Sequence, residues 1–109
     1  MREIAGGVTS AKGFEAAGAE AAVKYKNRKD MALVYSTAPC KVAGTFTTNV
    51  VKAAPVLWDK QVVENSAFAQ AVVVNSGIAN ACTGKPGMDC CKAEAEHAGK
   101  LLGIPAEAV

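Results

Sequence analysis

The sequence contains no apolar run that approaches the roughly 20 residues a helix needs to cross a bilayer. Its first seven residues, Met1 to Gly7, also lack the long apolar stretch of a secretion signal. An excess of one charge is missing too, since 12 Lys and Arg face 10 Asp and Glu and leave a net charge of +2. Scattered charges of this kind create no sustained field for a phosphate backbone. We therefore expect a cytoplasmic protein with neither nucleic acid nor membrane among its partners.

Aromatic residues are scarce, at 6% of the chain, and many of the other apolar residues are alanine. Half of all residues are nevertheless apolar and a fifth are charged, which is typical of a globular unit. A unit of 109 residues with small apolar side chains buries a modest share of its surface, so we expect it to pack against further protein. Residues 103–109 resemble the start of a new apolar segment. The chain, residues 1–109, is therefore predicted to be part of a single larger domain.

Metal ligands are few and badly spaced: the single histidine, His97, accompanies four cysteines without any Cys-x-x-Cys pair. A helix would point Cys90 and Cys91 about 100° apart, so both cannot readily face one ion. We expect no metal and no bound cofactor. We also expect free thiols that pack as small apolar residues at Cys40, Cys82, Cys90 and Cys91. Because His97 lies beside Glu96 and no Gly-x-Ser-x-Gly elbow is present, a solvated histidine is favoured over a general base.

The first half of the chain predicts irregular structure followed by strands. Residues 5–18 contain four glycines, which favour turns. Residues 15–26 are rich in alanine but show no 3.6-residue stripe, and we expect a strand. Residues 31–36 form a short apolar run suited to a buried strand that Pro39 closes. Residues 42–51 are dense in β-branched side chains, and the simplest expectation is that these last two strands pair through a short connection.

The second half predicts a strand, a loop and a helix. Residues 55–63 fit either a turn or a short helix. Residues 69–74 end in three valines, which is typical of a central strand covered on both faces. From Met88 to Leu102, apolar residues recur at steps of three and four and predict an amphipathic helix. A proline in its first turn, an acid near its positive end and a glycine-proline stop support that helix; these residues are Pro86, Asp89, Gly103 and Pro105. The order indicates an α/β protein.

The loop between that strand and helix, residues 75–84, combines side-chain amides, hydroxyls and glycines. In one interpretation its backbone N–H groups and amides hold a carboxylate or shape the floor of an active site. In the other, its asparagines satisfy their own backbone through local hydrogen bonds. Composition favours the second. The best candidates for polar contact with a substrate are Asn75, Asn80 and Thr83. The loop lacks the Lys-Ser or Lys-Thr of a phosphate-binding loop.

A short basic run, Lys24 to Lys29, contains one aromatic residue, Tyr25. Such a run could touch a nucleic acid or an acidic substrate. Because Asp30 follows at once and the net charge is small, a solvated turn is the favoured interpretation.

Five segments, in this order and at this spacing, resemble the ornithine acetyltransferase family, whose members are also described as bifunctional glutamate N-acetyltransferases. They are Gly6–Phe14, Arg28–Val34, Ala43–Asn49, Ala53–Val56 and Val74–Gly84. The resemblance covers nearly the whole chain, and the last segment is its most specific part. Ile78 stands where many members carry a second asparagine, and Ser10 replaces a frequent proline. We therefore assign Ile78 no polar role.

The resemblance implies that this chain forms the N-terminal part of an α-β-β-α sandwich with mixed sheets, in which residues 15–26 are strand. It also implies a ping-pong reaction in which a threonine takes the acetyl group from N-acetylornithine and passes it to glutamate. Self-cleavage of the precursor would free the amine of that threonine to act as base. The family's oxyanion Thr-Gly pair and its nucleophile are expected beyond Val109. No catalytic residue is then expected in residues 1–109, and the chain alone is expected to be inactive.

The implied partners are the nucleophile-bearing remainder of the precursor and the substrates N-acetylornithine and glutamate, in a heterotetramer of two cleaved chains. Acetyl-CoA is a further acetyl donor in bifunctional members. From the residues alone, a protein of another class stays open: a small non-catalytic α/β module whose Asn- and Gly-containing loop binds a carboxylate.

Overall fold

A computed structural model describes Glu3 and residues 5–109. The expectation drawn from Met1 to Gly7 falls partly outside these described residues. Three strands and two helices form the architecture, with single turns of 3₁₀ helix at Val8–Ser10 and Ala106–Ala108; the strands and helices are β1 (Phe14–Ala19), β2 (Met31–Cys40), α1 (Ala54–Asn65), β3 (Ala69–Asn75) and α2 (Gly84–Leu102). Among the described residues, no helix is long and apolar enough to cross a membrane.

The three strands form one antiparallel sheet in the order β1-β2-β3. The predicted strand at residues 69–74 is confirmed as β3, but its expected central position is wrong within the described part of the chain. β3 is an edge strand there. Ala71 is only 5% exposed, whereas Val72 and Val74, which alternation places on the opposite face, are 57% and 50% exposed. An apolar run does not reveal which element covers it, and here one face of β3 has no cover among the described residues.

The two strands before it are confirmed with different limits. β1 overlaps the predicted 15–26 strand but begins one residue earlier, at Phe14, and already ends at Ala19. The irregular segment expected at residues 5–18 therefore ends before Phe14. β2 continues through Pro39, which was expected to close it. The pairing of β2 with β3 is irregular between Tyr35 and Cys40. Because the ladder is already broken there, the missing N–H of the proline costs no regular hydrogen bond.

The strand predicted at residues 42–51 is wrong, since this segment contains neither strand nor helix. Val50 is 93% exposed and Val51 is 61% exposed. The preference of β-branched residues for strands depends on packing against a neighbouring strand. β2, the expected neighbour, already pairs with β1 on one side and β3 on the other. No edge of β2 is left for residues 42–51.

The ambiguous segment at residues 55–63 is part of α1. Pro55 lies in the first turn, where a proline lacks no needed hydrogen bond, and this position favours helix initiation. The helix buries Ala54 and Val62. Its indole Trp58 Nε1 donates a hydrogen bond of 2.9 Å to the carbonyl of Val109, which ties α1 to the last turn of the chain.

The predicted amphipathic helix is confirmed as α2. Every fourth residue from Gly87 onwards is buried, namely Gly87, Cys91, Ala95 and Gly99. Gly103 ends the helix with a left-handed backbone, φ 71°, as its predicted stop. Asp89 is not in the first turn, where no acid lies. It sits one turn further along and pairs with Lys85 at 2.8 Å, so this exposed ion pair takes the place of the expected dipole contact.

The apolar core is small, and none of the described large side chains is fully buried; the buried apolar residues are Ala54, Val62, Ala71, Cys91, Ala95 and Ala108. Between β3, the two helices and residues 42–46 lies an open cavity of about 510 Å³, here named the groove. Most of its lining is aliphatic or aromatic. The α/β class is confirmed, as one antiparallel sheet with two helices. The second half of the predicted sandwich, and its mixed sheets, stay predictions.

Candidate functional site

The corner, defined as residues 75–84, connects the end of β3 to the start of α2. Three of its residues have a left-handed backbone: Gly77 (φ 102°), Cys82 (φ 57°) and Gly84 (φ 58°). A side chain at Gly77 would place its Cβ 2.9 Å from the Cβ of Lys24, so glycine is needed both for its backbone and for this close approach. The predicted strand-loop-helix unit is therefore present, and the chain turns within its loop at residues that have a left-handed backbone.

Asn80 is the central hydrogen-bonding residue of the corner. Its amide nitrogen donates to the carbonyl of Gly87 at 3.2 Å and to the sulfur of Cys91 at 3.4 Å. Its amide oxygen accepts from the hydroxyl of Thr83. Its backbone carbonyl accepts from the N–H of Ala54 at 3.2 Å. One side chain thus joins the corner to the first two turns of α2, and its backbone joins the corner to the beginning of α1.

Gly87 allows this junction to close. A Cβ on Gly87 would overlap the hydroxyl of Thr83 and the amide oxygen of Asn80. Glycine is disfavoured in the interior of a helix, so the presence of Gly87 in α2 is explained by this close packing. The corner and α2 can be in direct contact only because that side chain is absent.

The three candidate polar residues do not lie in one cluster. Asn80 and Thr83 are hydrogen-bonded to each other, whereas Asn75 ends β3, pairs in the ladder with Met31 and lines the groove. Asn75 and Thr83 are exposed, and Asn80 is half-buried. The local hydrogen bonds fit the interpretation of Asn80 and Thr83 as residues that stabilise the loop. A role for any of the three towards a substrate stays a prediction.

The groove has two acids, a thiol and the amide of Asn75 in its otherwise apolar lining. Asp59 on α1 is open to solvent on one side, yet the surrounding groove wall desolvates its carboxyl and raises its pKa. Cys91 on α2 is 9% exposed. Burial raises the pKa of its thiol, and the negative charges of Glu94 and Asp59 add to that shift. A thiol held protonated in this way is a poor nucleophile at neutral pH.

Asp30 is a structural residue that the sequence did not identify. It is only 5% exposed, and its carboxylate accepts hydrogen bonds of 2.7 Å from the backbone N–H groups of Ala21 and Val23. The first of these bonds is the main reason that the pKa of Asp30 is lowered. Its own carbonyl accepts from the N–H of Ser76 at 2.9 Å. Asp30 therefore fixes the loop between β1 and β2 against the corner. The only signal in the sequence was a single acid directly after a basic run.

The remaining chemically active side chains are dispersed. All four cysteines are free; Cys91 is buried as expected for a small apolar residue, but Cys82 and Cys90 are exposed, which contradicts the packing role predicted for them. Within residues 5–109 and Glu3, no group of three or more His, Cys, Asp or Glu side chains is arranged to hold a metal ion. His97 is exposed on α2, with Nδ1 3.0 Å from the carbonyl of Ala93, as expected for a solvated histidine.

Comparison with known protein families matches residues 15–109 to the ArgJ family. Among curated proteins, the arginine biosynthesis bifunctional protein ArgJ of Thermotoga neapolitana is 48% identical over 99 residues, covering 90% of this chain and 25% of that protein. The protein of the same name from Streptomyces coelicolor is 53% identical over 100 residues, covering 91% of this chain and 26% of its own length. The chain thus spans about a quarter of the length of the curated relatives it matches.

Solved structures agree in fold as well as sequence. The crystal structure of ArgJ from Bacillus halodurans is 41% identical, with a TM-score of 0.89 over 95% of this chain and 54% of that chain. Ornithine acetyltransferase from Mycobacterium tuberculosis, in complex with ornithine, is 44% identical, with a TM-score of 0.89 over 94% of this chain and 56% of that chain. Sequence, fold and the resemblance carried by the corner lead to one assignment. The chain belongs to the ArgJ family.

Proposed function

We propose that the full-length protein carrying this chain transfers the acetyl group of N-acetylornithine to glutamate in arginine biosynthesis. The observation that carries the proposal is the match, at 44% identity and a TM-score of 0.89, to an ornithine acetyltransferase in complex with ornithine. In the first half-reaction, a threonine oxygen attacks the acetyl carbonyl, and ornithine leaves with the proton that the threonine amine has accepted. In the second, the glutamate amine attacks the acetyl-threonine and restores the free hydroxyl.

Residues 1–109 contribute a scaffold to this reaction and no nucleophile. The nucleophile and the oxyanion Thr-Gly pair belong to the part of the protein beyond this chain, so the chain alone is inactive. Asn75, Asn80 and Thr83 support the geometry of the acetyl-transfer pocket. This role is supported by the hydrogen bonds through which Asn80 joins the corner to both helices, since a pocket wall needs side chains that are held in place by neighbours.

The full-length protein is proposed to cleave itself into two chains that assemble as a heterotetramer. Residue coverage supports cleavage: this chain matches about a quarter of each curated relative but more than half of each solved chain. The solved chains are therefore about half as long as the curated relatives. The open groove and the uncovered face of β3 further support docking of a large remainder of the protein onto this chain.

Acetyl-CoA is proposed as a second acetyl donor, because the curated relatives are named bifunctional. The four free thiols support a reducing location, and we propose the cytoplasm.

The decisive experiment expresses the full-length protein and residues 1–109 separately. The full-length protein should appear as two chains on a denaturing gel and should form N-acetylglutamate from N-acetylornithine and glutamate, as followed by mass spectrometry. Acetyl-CoA is then tested as the only donor. Residues 1–109 alone should give no product, which is measured on the fraction that stays in solution. Acetyl transfer by residues 1–109 alone, or an intact full-length protein without transfer, would contradict the proposal.

A further inference from the structure

The loop between β1 and β2, residues 20–30, carries an excess of positive charge next to the corner. Its four cations are all exposed, namely Lys24, Lys26, Arg28 and Lys29. The loop also contains two acids, Glu20 at its start and Asp30 at its end. The carboxylate of Asp30 is occupied by two backbone N–H groups of the same loop. The surface that the middle of the loop presents to solvent is therefore cationic.

This loop is held against the corner by specific contacts. The carbonyl of Asp30 accepts the N–H of Ser76 at 2.9 Å, and Lys24 packs against Gly77 so closely that no side chain fits there. Ala22 has a left-handed backbone, φ 52°, between the two residues whose N–H groups bind Asp30. Alanine adopts this conformation only at a cost in free energy, so the Asp30 contacts maintain a defined loop shape. The cations consequently have a fixed place beside the corner.

Two of the cations share one aromatic ring. The ammonium of Lys24 lies 5.3 Å from the centre of the Tyr25 ring, and the guanidinium carbon of Arg28 lies 5.1 Å from it. Tyr25 itself is 47% exposed. These distances are within the range of cation–π attraction, which keeps the two charges close to each other in spite of their mutual repulsion.

We propose that residues 24–29 form a cationic rim that attracts glutamate to the acetyl-transfer pocket and leaves N-acetylornithine almost unaffected. The inference rests on the proposed function and adds a determinant for one substrate of the same site. At neutral pH, glutamate carries two carboxylates and one ammonium and is a net anion, whereas N-acetylornithine carries one of each and is net neutral. A positive field concentrates an anion near the pocket but exerts no net pull on a neutral zwitterion.

The test measures both substrates on the full-length protein with the rim charges reversed. In Lys24→Glu/Arg28→Glu, KM for glutamate should rise about fivefold at low salt, because two attractive charges near the site become repulsive. KM for N-acetylornithine and kcat should stay within about a factor of two. At 0.5 M salt, where the screening length falls to about 4 Å, the glutamate effect should largely disappear. The double variant Lys24→Gln/Arg28→Gln should show a smaller rise in the same direction and is the alternative if the reversed variant does not assemble.

The matched control is Lys12→Glu/Lys100→Glu, which changes the net charge by the same amount at two exposed positions. Lys12 precedes the end of β1 that is remote from the corner, and Lys100 lies in the last turn of α2. It should leave both KM values unchanged. The proposed role of the rim would be overturned by an unchanged KM for glutamate in the rim variants. It would also be overturned by an equal rise in KM for both substrates, or by an equal rise in the KM for glutamate in the control. Absence of acetyl transfer in the unmodified protein would instead refute the proposed function, so the two failures are distinguishable.

Discussion

The corner and the groove both adjoin β3 and α2, but they differ in how far residues 1–109 complete them. In the corner, Asn80 meets Gly87, Cys91 and Thr83, all within eleven positions along the chain. In the groove, an apolar cavity of about 510 Å³ stays open. Buried polar groups need hydrogen-bond partners, and in the corner these partners lie nearby in the sequence. An apolar surface has no hydrogen-bonding groups to satisfy, so a distant part of the chain can cover it. The difference indicates that the hydrogen bonds of the corner form within this segment, and the open groove fits the proposed docking of the rest of the protein onto it.

The largest expected effect comes from adding a side chain at Gly87, where the corner packs directly against α2. Gly87→Val places a branched side chain where Thr83 and Asn80 lie, and we expect a loss of about 3 kcal/mol in the free energy of unfolding. Chemical denaturation of the full-length protein measures it. The control is Gly7→Val, where a Cβ meets nothing within 4 Å. Equal losses in the two variants would show that the corner is not tightly packed.

Removal of the Asn80 side chain tests the corner's hydrogen bonds. Asn80→Ala leaves the carbonyl of Gly87 and the hydroxyl of Thr83 without this partner, and we expect a loss of about 2 kcal/mol. Self-cleavage and acetyl transfer by the full-length protein should slow as well. Asn65→Ala is the control, because its exposed amide bonds only within α1, to the carbonyl of Gln61. Lower stability with unchanged cleavage and transfer rates would reduce the corner to a structural role.

A smaller, pH-dependent effect is expected where the loop adjoins the corner. Folding lowers the pKa of Asp30, so this carboxylate stabilises the folded protein above its ordinary pKa of 3.8 and loses that contribution as pH falls through the lower folded value. Asp30→Asn should therefore lower Tm at neutral pH. The difference in Tm between this variant and the unmodified protein should become smaller below pH 3.8. Glu20→Gln, at the start of the same loop, should show no comparable difference. A difference that is constant with pH would contradict the ionic origin.

The smallest expected effect is a difference in reactivity between two neighbouring thiols that point to different sides of α2. Cys90 is exposed, whereas Cys91 is buried beside the groove with a raised thiol pKa. Iodoacetamide at pH 7.5 should modify Cys90 well before Cys91, since the thiolate is the reactive form. Mass spectrometry of tryptic peptides with fragment ions between the two positions gives the order. Equal rates would mean that the groove side of α2 opens readily to solvent.

Sequence periodicity predicted the elements whose packing partners lie within this chain. α2 was identified because its buried residues recur every four positions and glycine and proline mark its end. β2 and β3 were identified from apolar runs of strand length. For α1, apolar residues interrupted by Asp59 and Lys60 left a turn and a helix equally open, and its helical state became clear only in the structure.

The predictions that were wrong share a physical cause: the structure of those residues depends on packing partners that the local sequence does not identify. Residues 42–51 have strand composition, but β2 has no free edge to accept them. The edge position of β3 is likewise a property of its neighbours. For the candidate site, the corner was found from its unusual composition, whereas Asp30 was overlooked because its partners are backbone N–H groups that every residue offers. The close approach at Gly87 is equally invisible until the corner and helix are brought together.

The place of β3 at the side of the sheet has a practical consequence for anyone who produces residues 1–109 by themselves. Among the described residues, one backbone side of β3 is unpaired and two of its valines are exposed, and such an edge is a template on which a strand of another molecule can align. Separated from the rest of the protein, such molecules are expected to join edge to edge and to precipitate. Co-expression with the rest of the protein, which is proposed to dock onto this chain, is the appropriate way to obtain this segment in a dispersed state.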